Sequence, residues 1–230
     1  MVAHPAEEWN YGTGIDWTGK VVEKISNKTL EAYMRNNIWI PLNMKNTTFH
    51  PETLEPFLLL QMGTREGPKS PMVPGQPIYL TPAKSEVGGA GIFSTAEDYA
   101  LLLAALLKED GQFLTNETIE ELVKPQLTER SRLSLKALRS DIGFPLPEIP
   151  DDIPVNHALS GLYASADIPS RRLKGAVSWE GMSSPKWLLD RSAGIALSLM
   201  VQVLPLDDDA RMLWSQLEEE VYSLARSTVT

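Results

Sequence analysis

The sequence predicts an α/β (α+β) sandwich on three observations: helical periodicity through the first half, three closely spaced strand-like runs between residues 175 and 203, and one last amphipathic helix. Tight turns between the strand runs imply an antiparallel meander with helices on its faces. At 230 residues and 43% apolar, the chain is long enough and apolar enough to bury a core as one domain.

Within 13–26, Trp17, Val21, Val22 and Ile25 fall at helical spacing and predict a first helix. Asn27-Lys28 punctuates it, and Thr29 reads as the N-cap of a second helix, Leu30 to Ile38. Pro41-Leu42-Asn43-Met44 ends that helix, Asn43 being a residue that tolerates a left-handed turn. Residues 63–90 are rich in Gly, Pro and Ser, a long loop of the kind that walls a binding cleft. Ser94 and Glu97 have the spacing of a capping box before a helix from Tyr99 to Lys108, closed by Gly111. A short helix is expected from Thr115 or Asn116 to Val123, and prolines 145, 147, 150 and 154 make 141–157 another loop. The strand runs are 175–181, 186–190 and 194–203, joined by turns at 183–185 and 190–193. Asp207-Asp208-Asp209 opens the last helix, to about Arg226, with Met212, Leu213, Leu217, Val221 and Leu224 expected to face the sheet.

Charge and composition exclude several functions. A formal charge of −9 repels phosphate backbones, so no nucleic-acid partner is expected. The absence of cysteine removes disulfides and thiolate metal sites, and His4, His50 and His157 lack metal-ligand spacing, so no metal or other cofactor is expected. The start lacks the basic and apolar regions of a signal peptide. The apolar runs 99–107 and 194–204 fall short of the ~20 residues that span a bilayer. A soluble, cytoplasmic chain with no membrane association is the expectation.

Four segments in order carry a resemblance: Trp9-Asn10-Tyr11-Gly12-Thr13; Ile38 to Thr48, with Pro41-Leu42-Asn43-Met44 and Thr47; Gly88-Gly89-Ala90-Gly91 through Tyr99; and Ser178-Trp179-Glu180-Gly181-Met182, followed by Trp187, Asp190 and Gly194. Over about residues 5–220 the chain resembles the serine β-lactamase-like, penicillin-binding-protein superfamily, in its esterase and fungal acyltransferase branch. The resemblance implies an incomplete β-lactamase/transpeptidase-like fold, residues 1–230 being a single partial domain. Its 1–140 part is mainly helical with the 63–90 loop, and its 170–226 part holds the antiparallel sheet and last helix. The implied activity is that of a serine hydrolase or acyltransferase acting on ester or acyl groups of small molecules, in secondary metabolism.

That chemistry uses a serine on Ser-x-x-Lys as nucleophile, a tyrosine as base, and a strand that lines the site and gives an oxyanion-hole N–H. By resemblance, Tyr11 matches the base and Trp179-Glu180-Gly181 the strand motif, with Thr13 and Met182 beside them as binding residues. Glu180 departs from the small residue of many relatives; strand alternation would have to turn its carboxylate away from a developing oxyanion. The one Ser-x-x-Lys match, Ser183-Ser184-Pro185-Lys186, falls in a strand turn, which does not project Ser and Lys from one helical face. The chain is therefore expected to lack its own nucleophile, and the family's lysine with it. That loss matters because a phenol free in water titrates near 10, leaving only ~0.1% phenolate at pH 7. A non-hydrolytic descendant that binds, isomerises or cyclises a small hydrophobic metabolite, and a non-catalytic assembly module, are the alternatives. Without an N-terminal half the strand at 194–203 becomes an apolar edge, so self-association or a partner polypeptide is expected there.

Overall fold

The computed structural model describes residues 3–4, 6–54, 59–67, 70–79, 81–108, 110–142, 149–205 and 208–227, with the side chains of 139–142 and 208 left aside. Residues 143–148, with two of the prolines of the 141–157 segment, lie outside the description, as do 68, 69 and 80 of the 63–90 segment.

Helix α1, Gly14–Ser26, begins at Thr13 and ends at Asn27, whose φ of 53° is the left-handed C-cap. Helix α2, Leu30–Met34, is short, and side chains satisfy its first three amides: Glu23 accepts from Leu30 N, Glu86 from Glu31 N and Thr29 from Ala32 N. The Thr29 cap is where the sequence places it. The predicted run to Ile38 continues as a π-helical turn, Arg35–Trp39, which drops Trp39 into a core with Leu30, Met44 and Phe49. Asn43 takes φ 60° in the turn that follows. The 41–48 motif and its continuation to Phe49 are then held by two acids, the buried Asp98 and the half-buried Glu31. Asp98 accepts from Asn46 N at 2.7 Å and Thr47 Oγ1 at 2.8 Å, and Glu31 accepts from Phe49 N at 2.8 Å.

Helix α3, Ala96–Leu107, corrects one expectation. Its N-cap is Thr95, which accepts from Asp98 N, while the Ser94 hydroxyl pairs with Thr47 at 2.8 Å. Both residues can cap, and the tertiary bond to Thr47 takes Ser94 out of that role. Helix α4, Asn116–Val123, follows with its Thr115 cap. Helix α5, Glu129–Ile142, was not legible in the sequence. Its start anchors the N-terminal segment: Thr128 and Ser131 hydroxyls donate to the Ala6 carbonyl, and Trp9 N donates to Ser134 Oγ at 2.6 Å.

In the 63–90 segment two short strands, β1 (Gly63–Thr64) and β2 (Val73–Pro74), pair antiparallel. The main sheet has five strands: β3 (Val155–His157), β4 (Leu162–Ala164), β5 (Val177–Glu180), β6 (Lys186–Asp190) and β7 (Ile195–Leu199). All neighbours pair antiparallel in chain order. The expected meander is β5-β6-β7, and β3 and β4 extend it. The run through 203 divides, because β8, Val203–Leu204, leaves the main sheet and pairs parallel with β1. Among the described residues β7 has no partner beyond β6, so it is an edge.

Alternation sorts the faces. Val177, Leu189 and Ala196 meet α3, through Tyr99, Leu103, Leu106 and Leu107. Burial there pushes the Tyr99 hydroxyl up to about 12. Leu188, Ile195 and Leu197 meet the last helix, α6 (Asp208–Ser227), through Trp214, Val221, Tyr222 and Ala225. Between that helix and the sheet lies a buried polar core. Arg172 makes two bonds to Glu218, at 2.6 and 2.9 Å, and donates to Ser178 Oγ at 2.8 Å. Tyr222 donates to Asp190 at 2.6 Å.

Two helical stripes are placed differently from expectation. On α6, Met212, Leu213, Leu217 and Leu224 are exposed, and only Val221 of the expected five packs on the sheet. Burying Glu218 against Arg172 sets the rotation of the helix and turns that leucine stripe outward. On α1, Trp17, Val21 and Ile25, four residues apart, are 70%, 54% and 81% exposed. No helix among the described residues is long and apolar enough to cross a membrane.

Candidate active site

Tyr11 reaches its place because the segment before it is fastened to α5 and the segment after it enters α1 directly. Its ring lies parallel to the Trp179 indole, centroids 6.4 Å apart at an interplanar angle of 3°. Trp179 also meets His157 in a T-shaped contact at 5.5 Å and 70°, and His157 meets Trp9 at 5.4 Å. A row of four rings therefore runs Tyr11, Trp179, His157, Trp9. Two of the residues singled out in the sequence, 168 positions apart, thus share one wall. The Tyr11 ring stays 60% exposed, open to a ligand.

Trp179 stands directly opposite Trp187 on β6. Gly161, before β4, permits this packing: a Cβ there would lie 2.8 Å from the Ser178 carbonyl and 3.2 Å from the Trp187 ring.

Glu180 turns to the opposite face. It is buried, with Lys186 Nζ at 2.8 Å and Arg211 Nε at 3.8 Å, contacts that are ion pairs by distance without hydrogen-bond alignment. Its charge is thus matched away from the Tyr11–Trp179 wall, as alternation requires. Gly181 N–H donates to the Pro185 carbonyl at 2.8 Å, closing the turn from β5 to β6. Met182 follows on the exposed side of that turn, 64% accessible. Thr13 is exposed and serves α1 through its backbone carbonyl, which accepts from Trp17 N at 3.1 Å; its hydroxyl makes no cap bond. Ser183 and Ser184 are buried in the turn, Ser184 at φ 70°, and Lys186 is committed to Glu180.

Three site neighbours were not singled out in the sequence for this place: Trp9, His157 and Tyr79. His157 donates from Nδ1 to the Ala158 carbonyl, which leaves Nε2 as an acceptor, and burial pushes its pKa down, so the ring is neutral at pH 7. The pKa of Tyr79, on the long loop, is pushed up chiefly by burial and further by electrostatic interaction with Tyr11 and Asp16. The segment 88–89 packs on the first turn of α1, where Gly89 N donates to Asp16 at 2.8 Å. A Cβ on Gly88 would meet the Ile15 carbonyl at 2.6 Å. No group of three or more His, Asp or Glu among the described residues could hold a metal ion.

Comparison with known proteins gives a consistent result. The family model described as Beta-lactamase matches residues 1–221. A monacolin J acid methylbutanoyltransferase of Aspergillus terreus is 28% identical over 233 residues, covering 96% of this chain and 56% of its own length. A lovastatin esterase of Penicillium rubens is 27% identical over 215 residues, covering 89% and 53%. A mutant of the simvastatin synthase of Aspergillus terreus superposes with a TM-score of 0.90 at 29% identity, over 99% of this chain and 57% of that one. The chain spans about half the length of the curated relatives it matches.

Proposed function

The chain belongs to the beta-lactamase family, and on that premise we propose that it is the tyrosine- and tryptophan-bearing part of an acyltransferase or esterase site for small-molecule acyl groups. The relatives it matches are acyltransferases and esterases of that family. The observation that carries the reading is the parallel stack of Tyr11 on Trp179, an open aromatic wall with a phenol at its rim. Tyr11 is the proposed base, returning the nucleophile's proton to the leaving group. Trp179 and Met182 line the acyl pocket, and Thr13 offers a hydroxyl beside them. Gly181 N–H is already used by Pro185, so the oxyanion donor supplied by this strand end must be a neighbouring amide, that of Met182.

The nucleophile is proposed to come from a polypeptide segment outside these 230 residues. Supporting this, the Ser183–Lys186 match is held in a buried turn with its lysine paired to Glu180. Three surfaces also stand uncovered by the described residues: the β7 edge, the Trp17-Val21-Ile25 stripe and the exposed stripe of α6. Exposed apolar stripes on two helices together with an open sheet edge fit a covering segment better than a second copy, which would match only one such surface to itself.

Intact-mass measurement after incubation with a fluorophosphonate tests the nucleophile assignment. The 230-residue chain is expected to keep its mass. A stoichiometric adduct mapped to Ser183, or to another serine of this chain, would overturn it.

A further inference from the structure

Away from the aromatic wall, His50 stands between two carboxylates. Its Nε2 lies 2.9 Å from Glu86 Oε1 and its Nδ1 3.2 Å from Glu52 Oε1. A neutral imidazole has one donor and one acceptor, whereas a carboxylate only accepts; both contacts are hydrogen bonds only when both ring nitrogens carry protons. The geometry is therefore that of the imidazolium.

Glu86 is the mechanical link. Its other oxygen accepts from Glu31 N at 2.6 Å, so one carboxylate ties the 86–91 segment both to His50 and to the start of α2. Two residues on, Gly88 lies against the Ile15 carbonyl, and Gly89 N is bonded to Asp16. Those are the first residues of α1, which follow Tyr11 in the chain. A continuous path thus runs from His50 through Glu86 and Gly88-Gly89 to the turn that carries Tyr11.

We propose that His50 is a pH-operated staple: doubly protonated, it clamps the 86–89 segment beside α1 and Tyr11, and on losing a proton its charge-assisted bond to Glu86 weakens to a neutral one, with Glu52 competing for the single proton left, which loosens that segment. The charged groups facing it are Glu86 from the loop and Glu52 from its own turn; Glu31 of α2 lies one step further off, bonded to Thr48 and Phe49. All are acids, and among the described residues no cation bonds the ring or opposes its protonation. The hydrogen bond to Glu86 is the main cause raising the His50 pKa, ahead of Glu52. The sign follows: a pKa raised in the fold means a staple fully present below the ordinary histidine value of about 6.5 and lost as pH rises through the higher folded value.

The test is NMR on the full chain. The His50 ring should titrate above 6.5 and return toward 6.5 in Glu86→Gln. The hydrogen-exchange protection factor of the Gly89 amide, corrected for intrinsic rates, should fall between pH 6 and pH 9 by up to roughly tenfold per unit of the His50 shift. It should be independent of pH in His50→Gln, with core amides such as Leu188 unchanged throughout. A His50 pKa at or below 6.5, or a Gly89 protection factor equally flat in the wild type, overturns the proposal. The staple does not depend on acyl-transfer chemistry, so neither result bears on the proposed function.

Discussion

Replacing Arg172 with methionine is expected to lower the unfolding free energy by about 3–5 kcal/mol, because it strips the buried Glu218 of its hydrogen-bonded partner and leaves only Arg171, at 3.8 Å, as a counter-charge. The Arg172 and Glu218 side chains are 1% and 0% exposed, and the guanidinium forks onto the carboxylate with its third bond on Ser178. Removing both charges together, as Arg172→Met with Glu218→Leu, should cost much less than the single change, since no orphan charge remains. Urea unfolding followed by tryptophan fluorescence measures both. Equal losses in single and double variants would show that packing, not the charge pair, governs this part of the core.

The second large effect is chemical. In a protein with its nucleophile in place, Tyr11→Phe is expected to lower kcat by roughly 10²–10⁴, the usual contribution of a positioned general base. The ring stack on Trp179 survives that change, so KM should move far less. Trp179→Ala should act in the opposite sense, raising KM through loss of the wall on which the acyl group rests. A Tyr11→Phe variant with unaltered kcat would mean that the phenol is a packing residue.

Much of this was legible where the information was local. Thr29 caps as its sequence context indicates, Asn43 adopts the left-handed turn, the helix expected from Thr115 or Asn116 begins at Asn116, and the strands at 177–180, 186–190 and 195–199 fall inside the predicted runs. What failed depended on partners distant in sequence. The Met212-Leu213-Leu217-Leu224 stripe reads as a buried face, yet Glu218 is the buried residue, because Arg172, 46 positions away, requires it. Ser94 reads as a cap, but Thr47 claims it. Strand β3 is three residues long beside a proline-rich stretch, too short for period-2 alternation to register. His157 was passed over for lack of metal spacing; its role as a ring between two indoles comes from β3 meeting the fastened N-terminal segment.

In the site, Tyr11 and Trp179 were found by resemblance, and their parallel contact needed the fold. The concern over Glu180 is answered by Lys186, directly opposite on β6. The exposed stripe on α1, like that on α6, is an apolar periodicity that none of the described residues covers.

In the proposed arrangement this chain holds the base and the wall of an acyl-transfer site whose nucleophile comes from elsewhere. Its most direct test mixes the chain with the portion of the Aspergillus terreus transferase that the match leaves uncovered, and follows hydrolysis of p-nitrophenyl butyrate. Turnover by the mixture, absent from either piece alone and reduced about a hundredfold or more by Tyr11→Phe, is the predicted result. Turnover by the 230-residue chain alone, or by a mixture indifferent to Tyr11, would contradict it.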